Sequence, residues 1–231
     1  MVNITDKVSD NEDSISANIP SSLGTAGQVL TVNSGATAGE WADAAGGAFV
    51  KQSTTSITVN ATASVEFTFA TGSNILAHRF VFNRITGTAN GYEYIAQFRN
   101  QATSTFITAT AVYSYHFYNG YGASSTADAM GDGNHEGIRL NVNAGNAGTD
   151  ADWGLLNGYI DIFNPYDSKY QLALYQFVET SNTGEMRVSL GGGQLDQNQS
   201  VATPVDMVRF KPEGSGTFAD SGSITYYTLE N

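Results

Sequence analysis

From Phe49 to the C-terminus, apolar and polar residues alternate with a period of two through many short runs. In TASVEFTFA, for example, Val65, Phe67 and Phe69 alternate with polar residues. The segments GYEYIAQF, FITATAVYSYHF, GIRLNV and GEMRVSL repeat this pattern, and no long window shows a helical 3.6-residue pattern. Because neighbouring side chains of a strand point to opposite faces, this alternation predicts a chain built of β-strands.

Turn signals separate the runs. They are Thr71-Gly72, Asn90-Gly91, Asn119-Gly120, Asn164-Pro165 and Asn182-Thr183-Gly184. HRFVFNRI, GYIDIF, KYQLALYQFV, VDMVRF and SITYYTL also resemble strands, some of them apolar on both faces. Many short strands with regular turns favour an all-β, jelly-roll-like antiparallel β-sandwich. We expect this domain to span residues 48–231.

Residues 20–47 form a different, glycine-punctuated segment that predicts a short hairpin. A hairpin of this length cannot build a stable core alone, so it must pack on the rest of the chain or on copies of itself. The residues predicted to make the oligomer contacts are Leu23, Val29, Leu30 and Trp41. Residues 1–19 are acidic with scattered apolar residues, and they are predicted to be either a mobile terminus or an extended anchor.

Charge excludes several classes of partner. Only 14% of the residues are charged, and 10 Lys+Arg against 22 Asp+Glu give a net charge of -12. Nucleic acids and anionic membrane surfaces are recognised through Lys and Arg, so neither is an expected partner. No apolar run has the length of a membrane span, and residues 1–14 lack the pattern of a signal peptide. We therefore expect a soluble protein made in a cytoplasm.

No catalytic or cofactor-binding constellation stands out. The chain has no Cys, its three His are widely separated, and no P-loop, GxSxG or GxGxxG motif occurs in a usable context. The segment from Asp132 to Gly137 alternates oxygen donors as a calcium loop does. The twelfth position of that pattern is Asn143, which lacks the bidentate carboxylate. We predict no enzyme activity, no cofactor and no metal site.

The segment YSYHFYNGYG concentrates aromatic residues around an Asn-Gly pair. Tyr118 and Tyr121 fall beyond the strand pattern, so a turn at Asn119-Gly120 would place both rings in a loop. Aromatic rings in a loop can stack on a sugar or anchor a protein contact. The alternative interpretation is structural, with Tyr113 in the core and Tyr118 and Tyr121 covering its edge.

Two stretches carry a family resemblance. SSLGTAGQVLTVNSGATAGEWADA resembles a segment that recurs in fibre and other structural proteins of tailed bacteriophages. GYIDIFNPYDSKYQLALYQF and TPVDMVRFKPEGSGTFADSGSITYYTLEN are similar to the ending of such virion proteins. The resemblance covers about a third of the chain and implies a β-sandwich, a homotrimer, an N-terminal anchor to other virion proteins and no catalytic residues.

Together these observations predict a non-enzymatic structural component of a tailed-phage particle, either a trimeric surface fibre or a capsid-decorating protein. Ile4, Val8 and Ile15 are predicted to dock the N-terminus on a capsid or tail protein. The location would be the virion surface. The alternatives are a tail-fibre tip that binds host-surface glycans and, ranked lower, a polysaccharide depolymerase.

Overall fold

A computed structural model describes residues 28–32, 39–43, 48–57, 62–87, 93–108, 113–121, 124–132, 136–141, 155–168, 171–180, 186–195, 204–214, 216–218 and 222–231. The strands in these ranges are β1 (Gln28–Val32), β2 (Gly39–Asp43), β3 (Ala48–Ser56), β4 (Val65–Thr68), β5 (Ile75–Ile85), β6 (Tyr94–Asn100), β7 (Thr105–Phe106), β8 (Tyr113–Tyr121), β9 (Ser124–Asp132), β10 (Ile138–Arg139), β11 (Leu156–Phe163), β12 (Leu172–Thr180), β13 (Met186–Leu195), β14 (Val205–Pro212) and β15 (Ser223–Glu230). Within the same ranges, no helix has the length and hydropathy needed to cross a membrane.

The chain divides into two compact units, residues 1–47 together with Asn231, and residues 48–230. In the first unit, β1 and β2 pair as an antiparallel hairpin with Leu30 opposite Trp41. The glycine-punctuated segment therefore does contain the predicted hairpin. Leu30 exposes 49% of its surface, which agrees with a hairpin that has too few residues to enclose a core.

The second unit is an antiparallel β-sandwich, which confirms the predicted fold class. Its large sheet has the strand order β3-β15-β5-β11-β12-β13-β8-β9. Its small sheet has the order β10-β6-β14-β4, with β7 paired to β6. Every pairing in both sheets is antiparallel.

Aromatic rings from both sheets form the centre of the core. Phe80 of β5 stacks on Tyr226 of β15 with ring centroids 4.7 Å apart, and both rings belong to the large sheet. From the small sheet, Phe67 lies 5.2 Å and Phe210 lies 5.1 Å from Phe80. All four side chains are buried. Each such aromatic pair adds about 0.5–1.5 kcal/mol beyond the burial of its area, so these rings hold the two layers together.

The chain crosses between the sheets where the alternation predicts one continuous strand. FITATAVYSYHF is divided, since β7 pairs with β6 in the small sheet while β8 pairs with β13 in the large one. Tyr113 of β8 forms hydrogen bonds back to the small-sheet side of this crossing. Its buried hydroxyl accepts from the Phe98 N–H at 2.9 Å and donates to the Ile107 carbonyl at 3.0 Å. Alternation alone cannot locate this break, because Ile107 before the break and Tyr113 after it are both buried in the same core.

Glycine lets two parts of the sandwich approach closely. β13 runs through Gly191, Gly192 and Gly193, whereas the sequence pattern predicts a strand that ends before them. A Cβ atom on Gly193 would lie 2.7 Å from a methyl group of Ile138 in β10. That distance is too short for real carbon atoms, so a larger residue at position 193 would push β10 away from the large sheet.

Candidate functional site

The outer face of the large sheet carries exposed apolar side chains on β12 and β13. Along β12, buried and exposed residues alternate strictly. The solvent-facing side of an antiparallel sheet is usually polar, but most of the exposed residues of β12 are apolar. The exposed apolar side chains of the two strands are Leu172, Leu174, Val178, Met186 and Leu190. Leu174 exposes 57% and Met186 54% of its surface. We call these five residues the apolar face.

The two strands place these side chains in one continuous area. In the β12–β13 register, Leu174 pairs with Gly192, Gln176 with Leu190, and Val178 with Val188. Residues that pair across two strands lie on the same side of the sheet, so the exposed side chains of β12 and β13 adjoin. Large contiguous apolar areas on a surface mark sites of interaction.

A bidentate ion pair borders the apolar face. Arg79 of β5 donates through Nε and Nη2 to the two carboxylate oxygens of Asp161 at 2.7 and 2.6 Å. Its guanidinium also lies 4.3 Å from the ring centre of Phe49 and 4.2 Å from that of Tyr159. Asp161 pairs in register with Leu174. Because its charge is balanced within the sheet, this pair brings no net charge to the edge of the apolar face.

The predicted aromatic loop is a strand instead. Tyr118 and Tyr121 both lie in β8, and Asn119 and Gly120 continue that strand, so the predicted turn at this pair is wrong. Pairing on both sides, with β13 and with β9, outweighs the local turn preference of Asn-Gly. Tyr118 pairs with Leu190 of the apolar face and Tyr121 with Arg187, while the side chains of both tyrosines lie outside the described residues.

The predicted assembly residues are described only in part. Ile4, Val8, Ile15 and Leu23 lie outside the described residues, as do the side chains of Val29 and Trp41. The proposed roles of these residues in anchoring and oligomerisation therefore stay predictions.

A second candidate site is a cavity of about 290 Å³ between two turns, which we call the turn cavity. One turn joins β4 to β5, where the Ile75 N–H donates to the Gly72 carbonyl at 3.3 Å. The other follows β11, where the Asp167 N–H donates to the Asn164 carbonyl at 3.0 Å. Both turns fall at predicted turn signals. Asn164 has a φ of 52°, a left-handed conformation that asparagine tolerates better than most residues.

The buried imidazole of His78 lines the turn cavity. Burial lowers the pKa of its imidazole to about 4, so the ring is neutral near pH 7. The Tyr226 hydroxyl accepts from the Ala70 N–H at 2.8 Å and lies 2.7 Å from His78 Nδ1. The tautomer of the imidazole decides whether the Tyr226 hydroxyl donates to Nδ1 or accepts from it.

A buried carboxyl group lies in a different part of the interior. Glu179 of β12 is 4% exposed, and burial raises its pKa to about 7. Asn141 donates to Glu179 Oε2 at 3.0 Å, and this hydrogen bond and the charge of Arg187 lower the pKa. Oε1 of Glu179 has no hydrogen-bond partner within the described residues. Burial is therefore the dominant influence on this group, and it favours the protonated carboxyl.

Sequence reasoning did not single out these residues as sites. The sequence does contain a signal for the apolar face. KYQLALYQFV carries apolar residues on both faces of the predicted strand, and a two-layer sandwich can bury only one of those faces. No sequence signal identifies the turn cavity, because its two turns lie about 90 positions apart in the chain. His78 has no neighbouring residue in the sequence that distinguishes it from the other two histidines.

The fold and the apolar face together define an all-β sandwich protein with an exposed, uncharged apolar surface. Comparison with protein-family models, with curated proteins and with solved structures finds no match for this chain.

The two buried titratable groups should shift stability with pH in opposite directions. The folded pKa of Glu179 lies above its ordinary value of 4.5, so its stabilising contribution is complete below pH 4.5 and is lost as the pH rises through about 7. The folded pKa of His78 lies below 6.5, so its contribution is present above pH 6.5 and is lost as the pH falls through about 4.

Urea denaturation from pH 4 to 8, at one protein concentration, measures both effects through two variants that do not titrate. Relative to wild type, Glu179→Gln should become more stable as the pH rises, and His78→Gln should become more stable as the pH falls. Each unit of pKa shift corresponds to about 1.4 kcal/mol. Parallel pH profiles for the wild type and both variants would contradict these assignments.

Proposed function

We propose that this chain is a non-enzymatic structural component of a tailed-phage particle, a trimeric surface fibre or capsid-decorating protein that displays a β-sandwich. The observation that carries the assembly role is the apolar face. The resemblance of residues 21–44, 158–177 and 203–231 to phage structural proteins supports the particle as its setting.

Burial in an assembly accounts for the composition of the apolar face. An outward-facing strand of a solvated antiparallel sheet is usually polar, yet β12 exposes Leu172, Leu174 and Val178. The inner face of β12 is already buried, with Ala173, Tyr175 and Phe177 in the core. Apolar residues on the outer face lie outside the core of a single chain, and covering them would release free energy through the hydrophobic effect.

Charge favours a second copy of the chain as the covering partner. The outward positions of β12 from Leu172 to Val178, and those of β13 from Met186 to Gln194, include no charged residue. Two molecules that each carry a net charge of -12 repel one another wherever their acidic residues meet. Contact through an uncharged, apolar area avoids that repulsion, and closed symmetric assemblies are the usual form of homo-oligomers.

A charge on the apolar face should separate the subunits. We expect the full chain to have three times the mass of one chain in light scattering at micromolar concentration. Leu174→Glu should give monomers, because burying an unpaired carboxylate costs at least about 3 kcal/mol, which is more than 100-fold in association. Asn83→Glu is the matched control, since it adds the same charge to an exposed position of β5. A stable wild-type monomer, or an unchanged mass for Leu174→Glu, would contradict the proposed assembly.

The particle setting has a separate test. Antibody raised against residues 48–230 and labelled with gold should decorate purified particles of the phage that encodes this chain, and its position would distinguish head from tail. Intact particles that lack both the label and the chain's peptides in mass spectrometry would refute a virion role while leaving the assembly result standing.

A further inference from the structure

A ring of three copies requires more than the apolar face. In a closed ring of three, each contact joins two different patches, so every copy must carry a second surface that receives the apolar face of its neighbour. The apolar face spans two strands about 5 Å apart and about 20 Å of their length, which is on the order of 200 Å². A specific interface buries about 800 Å² on each partner, so the contact must also extend beyond the apolar face.

A second apolar area lies on the same side of the large sheet, at the edge strand β3. Phe49 of β3 exposes 45% of its surface and pairs in register with Leu229 of β15. Its ring centre lies 6.4 Å from that of Tyr227, in an edge-to-face arrangement. The guanidinium of Arg79 contacts the rings of both Phe49 and Tyr159. We call Phe49, Tyr159, Tyr227 and Leu229 the aromatic patch.

The aromatic patch and the apolar face are two parts of one surface. Tyr227 pairs in register with Arg79, and Arg79 pairs with Asp161. Asp161 in turn pairs with Leu174. Residues that pair across two strands lie on the same side of the sheet, so this row joins the two areas. Five strand spacings separate β3 from β13, which is about 24 Å at roughly 4.8 Å each. Each copy therefore presents two distinct patches on one side of its sheet, as a ring requires.

Phe49 is the exposed apolar side chain that extends this surface. Within the described part of residues 48–230, the large exposed apolar side chains outside the apolar face are Phe49, Val50 and Leu76. Val50 pairs in register with the buried Thr228, so it belongs to the opposite side of the sheet. Leu76 lies two positions before the buried His78 and shares that opposite side. Of the three, Phe49 alone lies beside the outer row that leads to the apolar face.

The charges near the aromatic patch are compatible with a second copy as its partner. The charge of Arg79 is balanced by its two hydrogen bonds to Asp161. Lys51, which pairs in register with Tyr227, is exposed and adds a positive charge. A positive charge at this edge attracts a second chain of net charge -12, whereas an acidic surface would repel it.

We infer that the apolar face of one copy packs on the aromatic patch of the next, so that three copies close a ring around a threefold axis. This inference rests on the proposed assembly and adds to it the second half of each contact. It excludes a twofold contact in which the apolar faces of two copies meet each other.

The chain has no Cys, which permits a cross-linking test without background. Leu190→Cys places a thiol on the apolar face, and Phe49→Cys places one on the aromatic patch. In the double variant, at the wild-type mass in light scattering, a short bismaleimide should link chains into dimers and trimers on a denaturing gel. The two thiols of one chain are about 24 Å apart, too far for the reagent to join them. Each single variant should stay unlinked, because like patches do not meet.

Two results of this experiment would overturn the inference. Linked dimers of Leu190→Cys alone would show a twofold contact between apolar faces. A double variant that keeps the wild-type mass but stays unlinked would show that the two patches do not meet.

Phe49→Lys tests the aromatic patch without a cross-linker. Lysine is chosen because a carboxylate at this position could pair with Arg79. Removing the ring and burying an unpaired ammonium should weaken association at least about tenfold, measured by light scattering over a dilution series. Ser53→Lys is the matched control, since it adds the same charge to an exposed position on the other side of β3 and should associate as the wild type does.

The outcomes separate this inference from the proposed assembly. Unchanged association of Phe49→Lys, together with a monomeric Leu174→Glu, would overturn the aromatic patch as the second surface and leave the role of the apolar face intact. A monomeric wild type would contradict both.

Discussion

The packing of aromatic rings between the two sheets is the interaction on which the rest of the structure depends. Phe80 and Tyr226 of the large sheet meet Phe67 and Phe210 of the small sheet, and this contact sets the inner face of the strands β4, β5, β14 and β15. Tyr175 and Phe177 place one face of β12 in the core, so the alternate residues of β12 must face away from the core. The leucines on the outer face of β12 are therefore exposed because the opposite face packs in the core, and side chains of a strand alternate between the two faces.

The same core determines where polar groups are buried. His78 shares the inner face of β5 with Phe80, and its ring centre lies 4.9 Å from that of Phe69, so burial keeps the imidazole neutral. Glu179 is on the inner face of β12, where burial favours the protonated carboxyl. Each group has a hydrogen-bond partner that limits the free-energy cost of burying it. This partner is Tyr226 for His78 and Asn141 for Glu179. The apolar face, by contrast, has no titratable group, which fits the assembly role proposed for it.

Prediction from sequence succeeds where a local pattern determines the outcome. The alternation in TASVEFTFA correctly places Phe67 and Phe69 in the core, and the Asn164-Pro165 signal coincides with a turn. Prediction from sequence fails where the pairing of strands that are distant in the chain determines the structure. Asn119 and Gly120 have a strong local preference for a turn, yet hydrogen bonding to β13 and β9 holds them in a strand.

The candidate sites depend on pairing even more strongly. Ser124–Asp132 has no alternating apolar set, so its pairing as the edge strand β9 has no local signal. The apolar face needs the β12–β13 register before Leu174 and Leu190 can be placed side by side. The turn cavity needs β5 and β11 to be neighbours, which no pattern in either strand specifies.

The central claim is that the apolar face is buried between copies of the chain, and the oxidation of Met186 by hydroxyl radicals measures this most directly. Met186 is 54% exposed in a single chain, whereas Met207 lies in β14 of the small sheet. At micromolar concentration, Met186 should be oxidised several-fold more slowly in the wild type than in Leu174→Glu, with Met207 oxidised equally in both. Equal rates for Met186 in the two proteins would contradict burial of the apolar face.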